Sequence, residues 1–318
     1  MNMPEDRHTL LAEVARLYYE KNLTQAQIAD RFNISRPQVS RLLAEGRQEG
    51  VVEIIIHYPS DKHAILKQQL KDRFGLKEVK LVTSAELGYA QLVERLGVTA
   101  ARHLEQLLHD GMVLGISWST GVYQVVNALR AAQQRKVTVV QLTGAVGSVN
   151  PLIDGPDLTR WLAQTLGGQY KYLPAPLLVE TASTRQALVN ERSIRETMAL
   201  LDQMDIALVG IGALSPPLSG LLLAGYITET ELRDIIRQGG VGEICSHHYD
   251  LHGNVLPIEL HQRLIGVGLE TLRQTPYVIG VGGGVDKASA VLGALRLGIL
   301  DCLVTDEIAA RAALKMSE

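Results

Sequence analysis

The sequence predicts an α/β protein in two parts. These are a small all-α helix-turn-helix domain over residues 1–59 and a larger doubly wound, mostly parallel sheet domain over residues 60–318. Three observations predict this. Two short apolar-periodic segments hinged at "FNIS" open the chain, and beyond residue 60 strand-like apolar runs alternate with helical patterns. Glycine, at 29 residues, gathers in pairs and triplets behind those runs, where strand-to-helix loops need it. A chain of 318 residues, 46% hydrophobic and 20% charged, has enough apolar surface for one large core beside a small one.

Charge and cysteine usage exclude several classes. The formal net charge is −3, so any nucleic-acid binding has to be local rather than a property of the whole surface. Cys245 and Cys302 are too few and too far apart for a disulfide framework, and no run resembles a secretory leader or an 18-residue apolar span. The expectation is a cytoplasmic protein with no membrane attachment.

The first element is "LTQAQIADRFNISRPQVSRLLAEG". Ala29 is the small residue where two helices cross, and Ile28, Phe32, Ile34, Val39 and Leu42 fall at spacings that bury one face of each. Thr24 caps the first helix and Ser35 the second. Pro37 lies in the first turn, where its missing N–H costs little, and Asn33 sits at a bend that wants a positive φ. This arrangement turns Ser35, Arg36, Gln38, Ser40 and Arg41 away from the miniature core, toward base edges and phosphates in a major groove. Arg36 and Arg41 suit bidentate contacts, while Ser35, Ser40 and the earlier Gln25 suit phosphate positioning. Residues 1–50 hold seven Lys+Arg and seven Asp+Glu, yet from 35 to 48 Arg36, Arg41 and Arg47 oppose only Glu45. A plain helical hairpin with solvated charges is the alternative.

Next, "VVEIIIHYP" is β-rich and reads as a wing or hairpin strand, and residues 60–74 read as a linker helix capped by Ser60 with a stripe of Ile65, Leu66, Leu70 and Phe74. Strands are then expected at 79–82, 112–116, 137–142, 206–211, 277–281 and 300–304, and helices at 90–108, 122–132, 158–166, 193–204, 229–237 and 288–297. The alternation argues for a parallel sheet covered on both faces.

Within it, "MVLGISWSTGVYQVVNAL" is a buried strand, a hydroxyl-rich turn and an amphipathic helix. Ser117, Ser119 and Thr120 with the first N–H groups of that helix form an anion cradle suited to a phosphate. The loops "QLTGAVGS", containing Gly144, and "LVGIGAL" are further strand ends that line the same crevice. Lys287 follows a glycine triplet at a helix start in a run that is neither a Walker A loop nor a good dinucleotide fingerprint, so a bound anion explains it best. "GEICSHHYDLHGN" reads as a strand carrying Cys245, His247, His248, Asp250 and His252. Its spacing does not suit zinc, and Asp250 is the candidate acceptor for sugar hydroxyls. No metal or cofactor is expected.

Together "YYEKNLTQAQIADRFNISRPQVSRLL", "FGLKEV", "GISWSTGV", "ALVGIGAL", "GEICSHHYDLHGN" and "LGILDCLVTDE" resemble the SorC-type bacterial transcriptional regulators, the sugar-binding DeoR-like group, over the whole chain. The resemblance implies a DNA-binding domain joined to an effector domain with the fold of sugar-phosphate isomerases and deaminases of the glucosamine-6-phosphate deaminase type. It further implies a homo-tetramer, operator DNA as partner, and a phosphorylated sugar that controls genes for its own uptake and catabolism. By position it assigns the phosphate to the loop of Ser117, Ser119, Thr120 and Gly121, with Trp118 against the ligand, and effector contacts to Asp250 and Lys287. The competing reading is a sugar-phosphate isomerase or deaminase with Asp250, His247, His248 or His252 as base. The expectation is a regulator, not an enzyme.

Overall fold

The structure is a computed structural model that describes residues 6–52, 61–85, 87–130, 134–147 and 154–318. Backbone contacts divide it into two units, Met1–Ser60 and Asp61–Glu318.

The first unit holds α1 (Arg7–Tyr19), α2 (Gln25–Phe32) and α3 (Arg36–Gln48). Thr24 and Gln27 exchange bonds as a capping box at the start of α2, as Ser35 and Gln38 do at the start of α3, with Pro37 in the first turn. Asn33 closes α2 in the left-handed region at φ 54°. Ile28, Ala29, Phe32, Val39 and Leu42 are buried, with Ile34 packed against them. The first helix, α1, was not foreseen; its Leu10, Leu11, Val14 and Leu17 complete this core. The expected wing at 51–59 and the Ser60 cap lie largely outside the described residues.

The second unit begins with α4 (Asp61–Phe74), β1 (Glu78–Val82), α5 (Tyr89–Leu107), β2 (Val113–Ile116), α6 (Thr120–Ala128), β3 (Thr138–Gln141), α7 (Gly155–Leu166) and β4 (Gln169–Lys171). It continues through α8 (Ala182–Asn190), α9 (Arg192–Leu201), β5 (Ile206–Gly210), β6 (Gly212–Ala213), α10 (Gly220–Leu223), α11 (Glu229–Arg237), β7 (Gly240–Ile244) and β8 (His247–Asp250). The last elements are α12 (Leu269–Gln274), β9 (Tyr277–Val281), α13 (Ala288–Leu297), β10 (Cys302–Asp306) and α14 (Glu307–Ser317). The large sheet runs β1-β10-β9-β5-β2-β3-β4 with every neighbouring pair parallel.

Its inner strands are buried on both faces, and residue parity decides the face. Val139, Ile206, Leu208, Cys302 and Val304 face a core shared with α5, α6 and α7. Val140, Ala207, Val209 and Leu303 face the opposite core, into which α4, α13 and α14 also pack. In α4 the stripe is Leu66, Leu70 and Phe74, while Ile65 is 62% exposed and does not belong to it as expected. The i, i+4, i+8 spacing sets one face, and Ile65 is turned about 100° from it.

The stretch expected as one strand over "GEICSHHYD" is instead a hairpin. β7 and β8 pair antiparallel, with β6 alongside β7, and Cys245 and Ser246 form a two-residue turn with φ 49° and 64°. Such turns normally take Asn and Gly, so Cys-Ser gave no turn signal.

Helices α5 and α6 meet at Gly97, where a Cβ would lie 2.5–2.6 Å from Gln124 atoms, backbone included. Backbone cannot yield as a side-chain tip can. Gly97→Ala is therefore expected to destabilise the protein by ~1–3 kcal/mol, read as a lowered midpoint in chemical denaturation. An unchanged midpoint would mean that the two helices separate freely.

Candidate functional site

The strand order reverses between β2 and β5. From β2 the chain proceeds outward through β3 and β4, then returns to add β5, β9 and β10 on the other side. Connections leave such a pair in opposite directions, which opens a crevice at its carboxyl ends. The loop that enters α6 lies there. Ser117 N donates to Leu208 O at 3.0 Å, and Gly210 N donates to Ser117 Oγ at 3.2 Å, so the buried Ser117 hydroxyl ties the two strand ends together. Ser119 caps α6 by accepting from Val122 N at 2.9 Å. The N–H groups of Thr120 and Gly121, first donors of the helix, have no partner among the described residues. Trp118 is partly buried against Gly220 and the Leu221 cluster.

Three side chains converge on the three consecutive residues where β5 ends. A Cβ on Gly210 would lie 2.3 Å from Ser119 Oγ, and one on Gly212 would lie 2.1 Å from Glu243 Oε1, so glycine is required at both for these groups to approach. Between them, Ile211 O accepts from Lys287 Nζ at 2.7 Å. The spacing of "GIG" thus makes room for a hydroxyl, a carboxylate and an ammonium.

Lys287 and Glu243 hold the electrostatics. Burial pushes the Lys287 ammonium down from its ordinary range, opposed by the Glu243 charge. Burial likewise pushes the Glu243 carboxyl up, opposed by the Ser246 N–H that it accepts at 2.7 Å and by Lys287. The two sense each other without a direct ion pair among the described residues. Burial works against the charged form of each, and each favours the charged form of the other. An ammonium, a carboxyl group and the open α6 N–H donors thus gather around the end of one strand.

The other expected residues make local contacts. Asp250 spends its carboxylate on His252 N, Asn254 N and Asn254 Nδ2 at 2.8–3.0 Å, so the acid that the structure sets near Lys287 is Glu243, which sequence reasoning missed. Gly144 is a packing glycine: its N–H donates to Ile265 O, and a Cβ would lie 2.3 Å from Pro176 O. Near the hairpin, His248 N donates to His261 Nε2 at 3.0 Å, and His247 lies 5.5 Å from His261 between ring centres. Among the described residues no group of three or more His, Cys, Asp or Glu is placed to hold a metal ion.

In the first unit Ser35, Arg36, Gln38, Ser40 and Arg41 are exposed and Gln25 is partly buried. Ser35 and Gln38 bond each other across the capping box, with Ser35 N donating to Gln38 Oε1 at 2.8 Å, so both serve the helix start first. Arg7 is paired with Glu45 and Arg16 with Glu13, whereas Arg36 and Arg41 have no acidic partner among the described residues. The free cations of α3 are the local basic feature that an overall acidic chain needs for a polyanion.

Residues 59–315 match the family model described as "Putative sugar-binding domain", and residues 12–49 match "Sigma-70, region 4". Over 310 residues, 98% of each chain, the protein is 32% identical to the deoxyribonucleoside regulator of Bacillus subtilis (strain 168). It is 33% identical over 309 residues to the sorbitol operon regulator of Klebsiella pneumoniae, covering 96% of this chain and 98% of the other. The crystal structure of that full-length regulator, SorC, superposes with a TM-score of 0.80 over 98% of this chain and all of the other. These relatives are named as regulators, not enzymes, which sets aside the isomerase or deaminase reading. Among the described residues no helix is long and apolar enough to cross a membrane.

Burial pushes His248 down to about 3 and His261 down to about 4. Both are lowered in the folded state, so the unfolded chain binds more protons and their contribution is whole above about pH 6.5. It is lost as pH falls toward 4. The melting temperature is expected to drop through this window, and His261→Gln to flatten the drop while keeping an acceptor for His248 N. An identical slope in the variant would mean that other groups carry the acid sensitivity.

Proposed function

The chain belongs to the SorC-type family of sugar-binding transcriptional regulators, and on that premise we propose that it is a cytoplasmic regulator whose operator affinity is set by a phosphorylated sugar. The convergence of Ser119, Glu243 and Lys287 on residues 210–212, beside the unpaired N–H groups of Thr120 and Gly121, carries this reading. The phosphate sits at the α6 start, where the helix dipole and free donors favour a dianion. Lys287 adds the point charge, Glu243 accepts from the sugar hydroxyls, and Trp118 closes the side. Binding raises the ammonium toward its ordinary range, because the new anion compensates its burial.

Arg36 and Arg41 on α3 make the operator contacts, with Ser40 and Gln25 positioned for phosphates and the Ser35–Gln38 box fixing the helix start. The effector acts by linkage: a sugar phosphate that binds one arrangement of a homo-oligomer, a tetramer in this reading, more tightly than another shifts DNA affinity by that difference, ~1–3 kcal/mol. The genes controlled are those for uptake and catabolism of the same sugar, as in the sorbitol operon regulator's name.

The test is fluorescence anisotropy with the chain's own promoter DNA at several salt concentrations. Arg36→Ala with Arg41→Ala is expected to weaken binding at least tenfold and to reduce the salt slope by about two. Lys287→Ala should bind DNA normally and fail to respond to sugar phosphates that shift the parent. Unchanged DNA affinity in the double variant contradicts the interface, and a normal response in Lys287→Ala contradicts the crevice.

A further inference from the structure

A second cavity of about 150 Å³ lies inside the larger unit, lined by Thr143, Arg185, Cys245, His247 and His261 together with apolar Leu177, Met198, Leu264 and Ile265. It shares no lining residue with the crevice that holds Ser119, Glu243 and Lys287. We propose that this cavity is a separate binding site for a short hydroxycarboxylate.

Four observations carry the proposal. No Asp or Glu lines the cavity, and Arg185, whose Nε donates to Leu264 O at 2.7 Å, has no acidic partner among the described residues. A guanidinium on a partly apolar cavity without a counter-charge calls for a planar anion that its remaining N–H groups can grip. Thr143 is 1% exposed, yet its Oγ1 has no hydrogen-bond partner among the described residues. A buried hydroxyl left unmatched in this way costs about 1–3 kcal/mol, so a ligand oxygen that meets it has something to gain.

His247 supplies the complementary group. Its Nδ1 donates to Cys245 O at 3.1 Å, which leaves Nε2 of the neutral ring as an acceptor for a hydroxyl. One permanent cation matches a monoanion better than a phosphate dianion, and the leucine, isoleucine and methionine walls suit a short carbon chain. A cavity of this volume holds a molecule of about six heavy atoms, the size of lactate. The carboxylate lies on Arg185, and the hydroxyl bridges Thr143 Oγ1 and His247 Nε2.

The proposal stands independently of the sugar-phosphate reading. It is tested by calorimetry and thermal shift on the full chain with lactate and glycerate, with 1,2-propanediol and inorganic phosphate as counter-probes, each at up to about 10 mM. Lactate or glycerate is expected to bind and to raise the melting temperature, and the diol to do neither. Arg185→Gln should weaken binding at least tenfold. Thr143→Val, which removes the unmatched hydroxyl and should leave the ligand-free melting temperature intact, should weaken it severalfold, so a folding defect in the arginine variant does not decide the matter. Absence of binding by either acid, equal binding of the diol, tighter binding of phosphate, or full affinity in both variants overturns the assignment.

Discussion

Parallel strands that leave a sheet in opposite directions cannot close over their own carboxyl ends, and the gap between β2 and β5 is where that constraint acts in this protein. Everything in the crevice follows from it. Ser117 locks the two strand ends with one hydrogen bond, Ser119 starts α6 at that point, and the missing side chains of Gly210 and Gly212 admit Ser119 from one element and Glu243 from another. The small β6-β7-β8 sheet then delivers Glu243, and the helical turn Val285–Lys287 after β9 delivers Lys287. Four segments far apart in the chain contribute groups to one place because the sheet order brings them there.

The two units solve the problem of anion recognition differently. In the larger one the charges are few and withdrawn from water, so burial holds Lys287 below its ordinary range, and the proposed phosphate would meet a weakly screened field. In the smaller one Arg36 and Arg41 are exposed to solvent, which suits a surface proposed to meet a long polyanion and release it again. The acids nearby pair with other cations, Glu45 with Arg7 and Glu13 with Arg16, and so do not neutralise α3.

What could be read in the sequence was what local chemistry decides. Caps at Thr24 and Ser35, the left-handed Asn33 and Pro37 in the first turn are all settled within a few residues, and parallel strands buried on both faces announce themselves as apolar runs. β4 could not be read, because an edge strand of Gln169, Tyr170 and Lys171 is exposed throughout. Neither could α8, which buries no residue. Asp250 stands near the end of a strand, as the sequence suggests, and accepts from His252 and Asn254 in its own loop. The importance of Glu243 lies in its closeness to Gly212 and Lys287, which comes from tertiary packing and leaves no mark on neighbouring residues.

In the proposed mode of binding, the crevice between β2 and β5 recognises the phosphate of the effector and not the sugar alone. Isothermal titration of the whole chain with a sugar phosphate that releases it from DNA, and with the same sugar lacking the phosphate, tests this most directly. Removing the phosphate is expected to weaken binding at least a hundredfold, about 2.7 kcal/mol. Equal affinity for the two compounds would contradict it.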